Sequence, residues 1–407
     1  LSGVLGRRLN RRYSGLVTRD IRSLTRDELQ SQFEAWGQPR YRVDQLLQWL
    51  YQRYALDWDS MTDLPKALRA KLQAHYTLHL PELVQCQGSA DTTQKFLWRL
   101  ADGALIESVL VPASRALYGQ SSDRRTLCVS TQVGCAYRCR FCASGLQGWK
   151  RNLRVEEIVG QVLAAERYLT QSAASVPGPE SAPAQPGHGP SAPRLGRPID
   201  NLVIMGMGEP LANYEAVLKA LRILNAAWGG GIGARKITIS TSGLAPQIRR
   251  LADEPEQFGL AVSLHATTDE LRSRLMPINR KYPLAELVAA CEYYRQKKGR
   301  ILSLEYILIA GVNDSLGQAR QLAALARRLH AKVNLIPYNP VEGLAWQRPE
   351  PAAQEAFLNV LLRQRVPATL RQEKGADIDA ACGQLRLKTE RALRVKAQAD
   401  GPVQPVD

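Results

Sequence analysis

Residues 126–145 read TLCVSTQVGCAYRCRFCASG. The run TLCVST (126–131) predicts a short strand, and three cysteines follow it at once: Cys135, Cys139 and Cys142. On a helix the spacing i, i+4, i+7 would form one apolar stripe, and cysteine is often only a small buried residue. A strand ends just before, however, Gly134 precedes the cysteines, and Gly145 and Gly148 follow. A loop wrapped around something fits that punctuation better. With seven cysteines in 407 residues, three of them crowded together, the chain suits a reducing compartment and a metal or redox role rather than a disulfide scaffold. Structural zinc needs four ligands at tetrahedral corners, and Cys128 would have to be recruited across intervening strand and loop. In an iron–sulfur cubane each thiolate takes one iron. Three thiolates then leave one iron open to a substrate or cofactor, which accounts for the missing fourth ligand.

Outward from this stretch, short β-branched runs alternate with amphipathic segments. Strands are read at 126–131, 201–206 (NLVIMG), 236–241 (KITIST), 260–265 (LAVSLH), 302–309 (LSLEYILI) and 332–337 (KVNLIP), and helices near 154–169, 213–227, 284–298, 315–329 and 352–364. Six β–α units predict an α/β fold with a parallel sheet curved into a partial or full barrel. Sites in such folds gather at the C-terminal ends of the strands. Residues 171–198 are rich in Pro, Gly, Ala and Ser. They bury too little apolar surface to fold and read as a disordered insertion in the 121–375 core.

Before the core, LTRDELQSQFEAWG offers Thr25 and Glu28 as a capping box, Leu24 and Leu29 as a staple and Gly37 as a stop. Two further helical patterns follow, with Val43, Leu46, Leu47 and Leu50 on one face and Leu64, Leu68 and Leu72 on the other. They complete a small helical module over 23–82, whose Arg40, Arg42, Arg53, Lys66, Arg69 and Lys71 are left for the surface. Alternating strands connect it to the core over 83–120, and a C-terminal segment runs from 376 to 407. Residues 1–22 hold Arg7, Arg8, Arg11 and Arg12 and no acid before Asp20, so they read as a basic arm, a tail or the remnant of an organellar targeting segment.

Lys and Arg total 54 against 38 Asp and Glu, a formal charge of +16. Such a surplus favours a polyanionic partner, since each phosphate contact releases a counterion. No run of about 18 apolar residues exists, so no membrane-spanning helix is expected.

The spacing Cys135-AYR-Cys139-RF-Cys142 resembles the signature of radical S-adenosylmethionine (SAM) enzymes. TLCVSTQVGCAYRCRFCASG, GMGEPL, ITISTSG, VSLHA, MPINRKYP, NLIPYNP and DIDAACGQL together look like the dual-specificity ribosomal and transfer RNA adenine-C2 methyltransferases, from about Thr25 to Leu385. The resemblance implies a partial (β/α)6 radical-SAM barrel with a small N-terminal helical domain that assists RNA binding. It implies a [4Fe-4S] cluster on Cys135, Cys139 and Cys142, whose open iron chelates SAM and whose electron cleaves it to a 5′-deoxyadenosyl radical. The expected product is 2-methyladenosine in large-subunit ribosomal RNA and in tRNA, at the adenosine 3′ of the anticodon. The expected electron donor is of flavodoxin or ferredoxin type, the location cytoplasmic and the enzyme a monomer.

By the same resemblance, Gly208 and Glu209 hold the methionine end of SAM, and Ser240, Ser263, Leu264, His265 and Asn339, all at strand ends, complete its site. Each of these has an ordinary alternative as a cap, turn or satisfied hydrogen-bonder. Cys382 is assigned the methyl group as S-methylcysteine, because a thiolate is nucleophilic enough to take it; the carbon radical made from that methyl attacks C2. Cys128 is assigned the release of the product by a disulfide with Cys382. Glu107 is assigned the proton from C2, against the reading of an exposed carboxylate on a strand. Cys86 and Cys291 match no motif, and Cys291 reads as packing. Two rivals are a C8-methylating relative with the same cysteines and a zinc-stabilised RNA-binding protein without catalysis.

Overall fold

A computed structural model describes residues 19–89, 93–112, 124–146, 148–174, 197–341, 343–371, 386 and 389. Cys382, the basic arm before residue 19 and residues 175–196 of the expected insertion lie outside the described residues.

The helical module forms as its caps dictate. Thr25 Oγ1 accepts the Glu28 N–H at 3.3 Å and Glu28 Oε2 accepts the Thr25 N–H at 2.7 Å, starting the helix Arg26–Ala35. Gly37 ends it with φ at +67°, a conformation that costs glycine little. The helices Tyr41–Tyr51 and Lys66–His75 follow. The apolar positions read from the sequence are all buried, including Leu46, Leu50 and Leu72 at 0% exposure. Strands β1 (Arg19–Asp20) and β2 (Tyr76–Thr77) pair in parallel and close the module on itself. Arg40, Arg53, Lys66 and Lys71 are exposed and Arg42 and Arg69 half-buried. Arg53 and Lys71 lie over the rings of Trp49 and Trp36 at 4.2 and 4.9 Å.

The core is one ten-stranded sheet. Strands β3 (Glu82–Gly88), β4 (Gln94–Arg99) and β5 (Leu105–Pro112) form an antiparallel meander that pairs onto β6 (Arg125–Cys128). The short strands β7 (Gln132–Gly134) and β8 (Trp149–Asn152) stand apart as an antiparallel pair. From β6 onward the sheet is parallel through β9 (Asn201–Ile204), β10 (Ile237–Thr241), β11 (Gly259–Ser263), β12 (Ser303–Leu308), β13 (Lys332–Pro337) and β14 (Ala368–Leu370). The strand order β14-β13-β12-β11-β10-β9-β6-β5-β4-β3 joins no two ends. The barrel is therefore open, as the partial alternative expects, and the meander extends one edge.

Several boundaries differ from expectation. The first parallel strand stops at Cys128 rather than residue 131: Val129 still bonds Val203 of β9, but Thr131 N–H donates to Met207 O at 2.8 Å, in the loop beyond Gly206. The helix Val155–Ala174 runs into the first four residues of the expected insertion. A further helix, Ala245–Asp253, joins β10 to β11. Its nine residues bury Ala245, Ile248, Leu251 and Ala252 on one face, but they are fewer than in any of the core segments read as helices.

Candidate active site

The cysteine loop is closed by the β7–β8 pair. Gly134 sits at φ +80°, and a Cβ there would lie 1.9 Å from Gly148 O. Cys135 N–H donates to that carbonyl at 3.1 Å, and Cys142 N–H donates to Cys139 O at 3.1 Å. A Cβ on Gly145 would meet Arg138 Cα at 3.2 Å. Close backbone approach thus requires a glycine at 134 and leaves little room for a side chain at 145, which keeps the loop tightly wound. Burial pushes the Cys135 thiol up to about 12, and the nearby Cys142 and Glu209 add to it. Burial, with Cys142 and Cys135, drives Cys139 well above the usual thiol range. Cys135 and Cys139 are thus held as neutral thiols unless a cationic metal is bound to draw off their protons. Among the described residues, no group of three or more His, Cys, Asp or Glu side chains is arranged to hold a single metal ion. A cluster binds each thiolate through a different iron, so three cysteines on one loop can serve it without converging on a single ion. The donor set fits the cluster.

Beside the loop, at the C-terminal ends of the parallel strands, opens a cavity of about 360 Å³. Cys142, Ser240, Ser263, His265 and Asn339 line it, as do Glu107 and Cys128 from the opposite side. Seven of the residues singled out in the sequence thus share one space. Gly208, Glu209, Leu264, Cys135 and Cys139 are not among its lining residues.

Glu209 is buried at 3% exposure. Its carboxylate accepts the backbone N–H of Leu211 at 3.0 Å and of Ser242 at 2.6 Å, and burial raises its pKa above the usual carboxylate value. Its own N–H donates to Gln132 Oε1 at 2.9 Å, which ties it to the strand that starts the cysteine loop. Gly208 permits that contact: its φ is +100°, and a Cβ would meet Gln132 Cβ at 2.5 Å.

His265 takes a left-handed backbone, φ +57°, at the end of β11. Its Nδ1 accepts the Ile307 N–H at 3.0 Å, so the neutral ring carries its proton on Nε2. Burial, then Arg272, pushes its pKa down to about 3. The ring meets Phe141, from between Cys139 and Cys142, edge to face at 4.7 Å. It can offer one N–H to a ligand without bringing charge.

Glu107 is not the exposed strand carboxylate of its ordinary reading; it is 2% exposed. Lys95 Nζ lies 3.0 Å from its Oε2, itself fully buried, and the Arg386 N–H donates to Oε1 at 2.6 Å. Cys128 follows on the neighbouring strand, paired with Val109. Burial raises its thiol to about 11, while Arg371 and Lys95 pull the other way. Cys291 is packing, 1% exposed in the helix Leu284–Lys298.

Sequence reasoning missed four residues here. Lys95 was legible as a lysine inside the apolar run KFLWRL. Glu305, on β12, lines the cavity and accepts from Ser303 Oγ and Asn334 Nδ2 at 2.7 and 2.9 Å. Arg371 also lines it. Arg272 is buried at 0% behind Ser263. Nothing local marks the last three as site residues.

Two family descriptions match the chain: the ribosomal RNA large subunit methyltransferase N-terminal domain over residues 19–78 and the radical SAM superfamily over residues 193–323. The chain is 52% identical over 378 residues to the probable dual-specificity RNA methyltransferase RlmN 3 of Opitutus terrae, covering 92% of this chain and 96% of that protein. It is 46% identical to the dual-specificity RNA methyltransferase RlmN of Anaeromyxobacter dehalogenans, covering 90% and 92%. Among solved structures, a radical SAM methyltransferase from Sphaerobacter thermophilus superposes with a TM-score of 0.79 at 44% identity, covering 90% of this chain and 98% of that one.

Proposed function

This chain belongs to the RlmN family of dual-specificity RNA methyltransferases, within the radical SAM superfamily, and from that premise we propose that it methylates C2 of adenosine in large-subunit ribosomal RNA and in tRNA. The observation that carries the reading is the single cavity shared by Cys142, Glu107, Cys128 and the strand-end residues Ser240, Ser263, His265 and Asn339. Cys135, Cys139 and Cys142 hold a [4Fe-4S] cluster. When bound and reduced, by a flavodoxin- or ferredoxin-type donor, the cluster with SAM supplies a 5′-deoxyadenosyl radical.

The chain's own residues do the rest. Glu209 and Gly208 shape the methionine end of the SAM site, and His265 Nε2 donates a hydrogen bond into it. Cys382 carries the methyl group to be delivered. Arg386, four residues further along the sequence, contacts Glu107, which supports a role for this C-terminal segment at the cavity. Glu107 accepts the proton that leaves C2, and Lys95 Nζ, 3.0 Å from Oε2, holds its side chain in place at the cavity. Cys128 would free the methylated RNA as its thiolate attacks the Cys382 sulfur: the sulfur–methylene bond breaks, the carbon leaves with the electron pair and takes a proton to become the methyl group, and a dithiol reductant then reduces the disulfide. The basic module and the +16 charge supply phosphate contacts. Among the described residues no helix is long and apolar enough to cross a membrane.

The test is anaerobic purification and reconstitution, then incubation with SAM, reductant and RNA lacking the modification. A brown protein, a paramagnetic signal on dithionite treatment, 5′-deoxyadenosine and 2-methyladenosine in nuclease digests are expected. An 8-methyladenosine product would assign the C8 reaction instead, and a colourless zinc protein would overturn the reading. Cys382→Ala is expected to abolish methylation; normal turnover in that variant would remove Cys382 from the mechanism.

A further inference from the structure

Resting on the assignment of the cluster to Cys135, Cys139 and Cys142, we propose that Arg272 supplies the fixed positive charge that sets the reduction potential of that cluster. Arg272 lies on the helix Asp269–Leu275 with no exposure to solvent. Its guanidinium donates to Leu264 O at 3.1 Å through Nε, to Asn279 Oδ1 at 2.9 Å through Nη1, and to Ser242 O and Ser263 O at 2.6 and 3.1 Å through Nη2. Every acceptor is neutral. Among the described residues no carboxylate forms an ion pair with it; Asp269, on the same helix, is turned to Asn279 Nδ2 and the Leu284 N–H. A buried cation without an anion is costly, and four carbonyl-type acceptors do not cancel its charge.

Two contacts fasten the cysteine loop beside this charge. Arg140 N–H donates to Leu275 O, at the end of the arginine's own helix, at 3.0 Å. Phe141 packs on His265, the residue after Leu264. Arg140 and Phe141 are the two residues between Cys139 and Cys142, so the segment between two ligands is pinned on both sides to elements that Arg272 holds. Burial pulls the arginine down to about 10, and Cys139 is the first influence opposing that fall. A cluster becomes more negative by one charge when it takes an electron. A cation fixed nearby in a dry interior stabilises that state, and net charge and hydrogen bonding are the levers by which a protein sets cluster potential. Arg272 is therefore a positioning residue whose charge acts through space. Its bond to Ser242 O also orients the residue whose N–H holds Glu209.

The full-length protein and its R272M and R272K variants are reconstituted, assayed for iron and sulfide, and titrated potentiometrically with dithionite while the reduced cluster is followed by paramagnetic resonance. R272M is expected to make reduction harder by about tenfold or more, 59 mV for a one-electron couple. R272K is expected to stay close to the parent. A fully loaded R272M with an unmoved potential overturns the proposal, as does R272K shifting as far as R272M. Should R272M hold no cluster, R272K decides: a parent-like potential supports the proposal, while a lost cluster or a lowered potential overturns it. Failure of the parent protein to take up any cluster would strike the cysteine assignment itself.

Discussion

Replacing Lys95 by methionine removes the cationic partner of the buried Glu107 carboxylate. The pair is separated by 3.0 Å, with Lys95 at 0% and Glu107 at 2% side-chain exposure. At that distance the gross attraction is about 5 kcal/mol at an effective dielectric near 20, much of it spent on desolvation. Breaking one side of a buried pair costs about 3–5 kcal/mol, because the survivor is left charged and dry. The Arg386 N–H stays on Oε1, so the lower end, about 3 kcal/mol, is expected for K95M. The double variant K95M/E107Q removes both charges, keeps an oxygen for the Arg386 N–H, and is expected within about 1 kcal/mol of the parent. Urea unfolding of the four proteins, followed by circular dichroism, gives the cycle. Single costs that simply add in the double variant, or a K95M cost under about 1 kcal/mol, would refute a buried ionised pair.

Three further outcomes follow from the geometry. Gly134→Ala places a methyl 1.9 Å from Gly148 O at a φ of +80°; reconstituted protein should bind markedly less iron while circular dichroism stays nearly unchanged, and a full iron load would contradict the required closure of the loop. His265 is held neutral, its pKa lowered by burial and then Arg272 from 6.5 to about 3, so the unfolded chain binds more protons between those values and stability falls as the medium is acidified below about pH 6.5, by about 2 kcal/mol at pH 5 relative to pH 8. Urea midpoints across that range should fall less steeply in H265Q than in the parent; parallel curves would refute it. Thr25→Ala removes the capping box and should cost about 1 kcal/mol, read as a lower urea midpoint; an unchanged midpoint would count against the cap.

What the sequence disclosed follows a physical rule. Periodicity and capping are local, so the helices of Leu46 and Leu72, the strands bearing Ser240 and Ser263, and the glycines around the cysteines could be read from the order of residues. The strand read through 131 ended at Cys128, and Thr131 is claimed by Met207, 76 positions away. Long-range pairing of that kind leaves no local trace. Glu107 shows the same limit from the other side. Its strand was legible, yet its burial depends on Lys95 across the sheet and on Arg386, 279 positions on.

The residues that escaped the sequence are chiefly those that act on a neighbour rather than on a ligand. Arg272 touches carbonyls of Ser242, Ser263 and Leu264, which end two different strands. Ser242 in turn holds Glu209, and Glu209 is held by Gln132 at the start of the cysteine loop. The strand ends and the loop are thereby joined through one buried guanidinium and one buried carboxylate, each bonded mainly to neutral backbone groups and not to the other. Polar groups this deep are retained at the expense of stability. An apolar arginine substitute would leave Ser242, Ser263 and Leu264 without this donor, and the site would lose its rigidity where a reacting group must be held to within about half an ångström. The buried guanidinium and carboxylate thus hold the strand ends and the cysteine loop together while the charge of Arg272 stays fixed beside the loop, and the fold bears the energetic cost in its dense apolar core.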